Sequence, residues 1–148
     1  MLLPESLQHF PDPTLIVIAD FGKCKVYKAE NIDFDEIASL EADEPPRPDS
    51  ESSVAVGPGR RTKNDAETDE GEDRKKYAKE IAGAITDKSD DHGIKEIQLI
   101  MPAELLRRVQ DVLSKDVLNI ITKSLDKDLM KNDLMDAMQR LAKIPKKL

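Results

Sequence analysis

Three groups of residues in this chain have types and spacing that could do chemistry. Gly57-Pro58-Gly59 leads into Arg60, Arg61, Thr62 and Lys63. Glycine lets backbone N–H groups turn toward an anion and guanidinium forks add paired donors, so the chemistry would be phosphate binding. A solvated loop would have the same composition. Asp20, Asp126 and Asp128 lie beside apolar runs. If they converge, they offer the hard oxygen ligands that Mg²⁺ or Mn²⁺ requires for phosphodiester hydrolysis. Asp20, directly before Phe21-Gly22, equally suits a turn in which its carboxylate accepts backbone N–H groups. Lys123, Lys127 and Asp128 would stand at the carboxyl end of a sheet, where open α/β folds take ligands. At that spacing they also make ordinary surface ion pairs.

Other chemistries lack their residues. Cys24, His9 and His92 are the only cysteine and histidines, and they have no zinc-ligand spacing. Cys24 sits among alternating apolar residues, which suits a buried thiol rather than a nucleophile beside a histidine. The sequence contains neither a phosphate-binding P-loop nor a dinucleotide fingerprint. Arg107 and Arg108 fall on the wet face of a helix, while Lys143, Lys146 and Lys147 complement a helix C-terminus.

The elements that must position these residues can be read from composition and periodicity. The 148 residues are 39% hydrophobic and 36% charged, which suits one domain of common size. The net charge of -7 is confined: eleven acids and four bases lie between Glu41 and Asp73, and nineteen of each lie elsewhere. That segment, with Pro45, Pro46, Pro48 and few large apolar residues, cannot offset its ordering entropy by burial. Residues 41–73 are therefore expected to form an acidic flexible loop within a single domain over 1–148, with a short strand at Ser53 to Val56.

Before the loop, Leu15 to Ala19 reads as a buried strand. Cys24, Val26 and Tyr27 then suggest an antiparallel partner with one wet face, and Phe34 to Leu40 a third strand. After the loop, Tyr77, Ile81, Ala84 and Ile85 give one face of a helix from about Glu72 to Thr86. Ile97 to Met101 reads as a strand, and Pro102 opens a helix with the stripe Leu105, Leu106, Val109, Val112 and Leu113. Val117 to Thr122 reads as a strand, and Asn132 caps a last helix carrying Leu134, Met138 and Leu141. The expectation is an α/β fold: a mixed five-stranded sheet, three antiparallel strands then two parallel, covered by three helices. With one cysteine and no apolar run long enough for a bilayer, the chain is expected to be cytoplasmic, with no membrane insertion and no classical secretion.

Several stretches carry a resemblance to a known family: Ile16-Val17-Ile18-Ala19-Asp20 with Lys25-Val26-Tyr27, then Tyr77-Ala78-Lys79-Glu80-Ile81-Ala82, Ile97-Gln98-Leu99-Ile100-Met101-Pro102, and Lys123-Ser124-Leu125-Asp126-Lys127-Asp128-Leu129. In this order they resemble bacterial proteins labelled as required for attachment to host cells, grouped with bacterial relatives of the archaeal and eukaryotic peptide-chain release factors. The resemblance implies a ribonuclease H-like fold and invites comparison with the release-factor middle domain. There a Gly-Gly-Gln loop precedes a long helix and reaches the peptidyl-tRNA ester. Here Gly57-Pro58-Gly59-Arg60-Arg61 takes that place, and the sequence contains no Gly-Gly-Gln.

The functional expectation is an interaction protein of translation rather than an enzyme. It would bind ribosome, tRNA or other RNA, not DNA, through Gly57, Gly59, Arg60, Arg61, Lys63, Lys123 and Lys127, with no cofactor. One alternative is a nuclease or hydrolase with Mg²⁺ or Mn²⁺ on Asp20, Asp126 and Asp128, and another is a small α/β module that dimerises through a sheet edge or a helix face. The oligomeric state stays open.

Overall fold

The computed structural model describes residues 10–42 and 63–145, with the backbone alone over 63–72. Three strands come first: β1 (Phe10–Ala19), β2 (Lys23–Asn31) and β3 (Asp33–Glu41). Helix α1 (Lys63–Asp91) leads to β4 (Glu96–Ile100), α2 (Ala103–Val112), α3 (Lys115–Asn119), β5 (Ile121–Leu125) and α4 (Leu134–Ala142). The strands form one mixed sheet in the order β3-β2-β1-β4-β5. β2 runs antiparallel to β1 and β3, while β1, β4 and β5 are parallel. The α/β class and the mixed five-stranded sheet agree with the pattern of the sequence.

Strand β1 is central because nearly every residue after its prolines is apolar, so both faces can be covered. Leu15, Val17 and Ala19 face a core shared with Tyr77, Ile81 and Ile85 of α1 and Leu105 and Val109 of α2. Ile16 and Ile18 face a second core with Tyr27, Phe34, Met138 and Leu141. Pro11 and Pro13 occupy the early part of β1, where its register with β2 shifts between Phe10 and Thr14. Proline, which has no N–H for the ladder, is tolerated at such an irregularity. The expected wet face of β2 is covered in part: Cys24 and Val26 enter one core and Tyr27 and Ala29 the other, while Lys23 stays exposed and Lys25 half-buried. Tyr27 and Phe34 stack at 4.9 Å between ring centroids.

The described residues form four helices, not three. Val117, expected in a strand, belongs to α3. Ser114 Oγ accepts from the Val117 N–H at 3.3 Å and caps that turn, and the strand follows at Ile121. A short apolar run has no period long enough to separate these outcomes. Helix α1 starts at Lys63 rather than near Glu72, so residues 63–73, assigned to the loop from composition, are helical. The sequence of residues 63–72 has no apolar period, the signal by which a helix is read from sequence. At the other end Gly93, at φ +60°, lets Ile94 N–H reach Ser89 O at 3.0 Å, the closing bond of a left-handed cap. The N-cap of α4 is Asp133, one residue after the expected Asn132, whose Nδ2 instead donates to Asp136 Oδ2 at 2.9 Å. The strand expected at Ser53 to Val56 lies outside the described residues.

Candidate functional site

At the carboxyl end of β1, Asp20 Oδ1 accepts from Gly22 N at 2.8 Å and Lys23 N at 2.7 Å. Asp20 N donates back to Lys23 O at 2.9 Å, which closes the turn. This carboxylate oxygen is thus engaged in local structure. Asp126 and Asp128 follow β5 and are exposed. Among the described residues no three His, Cys, Asp or Glu side chains gather as a metal-binding group, so Asp20, Asp126 and Asp128 do not converge.

The same end of the sheet is closed by charge pairing. Arg74 of α1 lies over the Phe21 ring at 4.7 Å, and its Nη1 donates to Glu104 Oε1 of α2 at 3.0 Å. Arg108 donates to Glu104 Oε2 from Nη2 at 3.1 Å. The Arg108 hydrogen bond is the largest influence and, with the charges of Arg74 and Arg108 added, holds the Glu104 carboxyl below its ordinary range against the opposing effect of desolvation. Arg108, expected on a wet face, is half-buried in this network, whereas Arg107 is exposed.

Beneath them the Cys24 thiol is fully buried and pushed up to about 12, by desolvation first and the Asp20 charge second. Tyr77 Oη is buried without a hydrogen-bond partner, and desolvation raises its phenol well above the ordinary value. An un-ionised thiol and phenol in an apolar layer supply packing, not nucleophiles.

The bases selected from sequence separate. Lys123, expected at the surface, is 5% exposed, and its Nζ donates to Leu141 O at 2.8 Å. The ammonium meets the carbonyl-rich end of α4, where a cation is favoured, and it ties that helix to β5. This placement corrects the expectation of a contact residue. Lys63 opens α1, described by its backbone only, while Gly57, Gly59, Arg60 and Arg61 lie outside the described residues.

Lys127 is brought into a site. A surface depression of about 440 Å³ between the end of β5 and α4 is lined by Leu125, Lys127, Asp136, Gln139, Arg140 and Lys143. Helix α4 places Asp136, Gln139, Arg140 and Lys143 along one side because they stand three and four residues apart. Asn132 and Arg140 both hydrogen-bond Asp136, and these bonds hold its carboxyl below the ordinary range. Arg140 Nε is 3.2 Å from Asp136 Oδ2, which orients the guanidinium. Three bases against one acid leave this depression positive on a chain whose net charge is -7. Such a site can take a phosphate through two ammonium groups, an oriented guanidinium and an amide. Of these residues Lys127 is expected from the sequence as a contact and Lys143 only as a helix-end charge, while Gln139 and Arg140 have no local motif to mark them. The signal available was the recurrence of polar side chains on the face of α4 opposite Met138 and Leu141.

An archaeal protein of known structure is similar at 10% identity and a TM-score of 0.44, over 86% of this chain and 36% of its own. S. cerevisiae Dom34, a translation termination-like factor involved in RNA quality control pathways and interacting with Hbs1, is similar at 12% identity and a TM-score of 0.46, over 86% of this chain and 35% of its own. The chain thus spans about a third of the length of these solved structures. No curated protein sequence matches it. The model of bacterial archaeo-eukaryotic release factor family 12 matches residues 13–141, from β1 into α4, and the chain belongs to that family.

Proposed function

We propose that this chain is a release-factor-like interaction module that docks on ribosome, tRNA or another RNA through phosphate contacts and does not hydrolyse peptidyl-tRNA. The observation that carries the reading is the basic depression of Lys127, Arg140 and Lys143, a local positive site on an acidic member of a release-factor family. Arg60, Arg61 and Lys63 would add a second set of phosphate contacts. The sequence has no Gly-Gly-Gln to reach an ester. A ribonuclease H-like topology fits the same reading, supported by a central β1 flanked by antiparallel β2 and parallel β4. The host-attachment grouping adds a name without a mechanism.

The test is binding of tRNA, and co-sedimentation with ribosomes, at low salt. Lys127→Ala with Lys143→Ala weakens binding and lowers the dependence of log affinity on log salt by roughly one for each phosphate contact removed. Arg60→Ala with Arg61→Ala does the same independently. Unchanged binding in both double variants would overturn the reading.

A further inference from the structure

Helix α1 carries local costs that its own domain does not repay. Gly83 lies in its interior, where glycine is a poorer helix former than alanine. A Cβ built there meets nothing within 4 Å, so packing inside the domain does not require the glycine. Gly83 sits instead in an open groove of about 440 Å³, lined by Lys79, Ala82, Gly83, Thr86, Asp87 and, from α2, Val112. Val112 is 43% exposed, one of the few large apolar side chains left in solvent among the described residues. Asp87 of the groove and Asp90 and Asp91 beyond it occupy the last turns of α1, where carboxylates oppose the helix dipole and Lys88 is the one base of the last turn.

From Lys75 to Asp91 the exposed charged residues are ordered about Gly83, with the half-buried Glu80 and Lys88 outside the pattern. Four residues before it stands Lys79 and four after it Asp87; eight before it stands Lys75 and eight after it Asp91, all exposed. Lys76 and Asp90 repeat the same signs at seven residues on either side. A surface with bases on one side of a centre and acids at the mirror positions is complementary to itself turned through half a revolution.

We propose that this face of α1 binds a second copy of the chain, the two α1 helices crossing antiparallel at Gly83. In that arrangement Lys79 meets Asp87 of the other copy and Lys75 meets its Asp91, each pair occurring twice, as a two-fold interface requires. The missing Cβ lets the two backbones approach closely, Val112 of each copy is covered, and each set of terminal acids gains a cation. A nucleic acid is a poor occupant, because half of the face would repel phosphate. The proposal is independent of the RNA-docking reading, which uses α4 and the end of β5.

The test is sedimentation equilibrium of the full chain at about 100 μM in low salt. The expected result is a dimer that loosens as salt rises. Gly83→Leu replaces a weak helix former by a strong one at an exposed position, so the fold is retained by circular dichroism while the mass falls to that of a monomer. Lys79→Asp raises the dissociation constant about ten-fold or more, since it sets acid against acid twice, and adding Asp87→Lys restores association. A monomeric wild type, a Gly83→Leu dimer of unchanged affinity, or failure of the double exchange to recover association would each overturn the proposal.

Discussion

Asp20 accepts two backbone donors, Gly22 N and Lys23 N. Asp20→Ala leaves both without that acceptor and is expected to cost about 1–2 kcal/mol in urea unfolding. Asp20→Asn keeps a side-chain oxygen in place and is expected to cost less, with no change in any Mg²⁺ response. A larger loss in Asn than in Ala would contradict the turn role. Cys24 gives a pH prediction. Its thiol stays neutral in the folded state until about 12, above the ordinary 9.0, so the unfolded chain releases the proton first. Stability from this group is whole below pH 9 and is lost as pH rises toward 12. The comparison is denaturant midpoints of the wild type and Cys24→Ala across that range; the wild type should lose more. At this scale the turn at Asp20 was legible because Asp-Phe-Gly after a buried strand has a local geometry. The depression around Lys127 was not, because it depends on the angle at which α4 crosses the end of β5.

Among the elements, the central strands were plain in the sequence because both of their faces are apolar, leaving short β-branched runs. Leu99 of β4 is at 0% exposure, and Leu99→Ala is expected to cost about 2–5 kcal/mol by thermal or chemical unfolding. The segment Leu113 to Leu125 was harder, since Val117 and Ile121 are four residues apart and fit one helix face as well as two elements. The Ser114 cap decides between them. Ser114→Ala is expected to cost about 1 kcal/mol, read as a lowered urea midpoint with an unchanged slope. The first ten residues of α1 were illegible for a different reason: they carry no apolar face, and the apolar period is what reveals a helix.

For the molecule as a whole, two strands end the sheet in different ways. β3 presents Asp33, Asp35, Glu36 and Glu41, all exposed, and an edge fringed with like charge resists pairing with another chain. β5 lies instead beside a second depression, lined by Leu118, Ile121, Thr122 and Ser124 among others. The central position of β1 has a kinetic consequence. Its antiparallel partner β2 follows after a three-residue connection, whereas its parallel partner β4 pairs Thr14 with Glu96, roughly eighty residues away in sequence. Closing that span costs entropy that grows only with the logarithm of its length, so removing ten residues from within 43–62 should change stability through closure by less than about 0.6 kcal/mol. The local hairpins can form on the microsecond scale, and the distant strand must wait for them to offer an edge. In pulse-labelled refolding, amides of β1 and β2 should gain protection before those of β4 and β5, which leaves an N-terminal meander as the template on which the later half of the chain condenses.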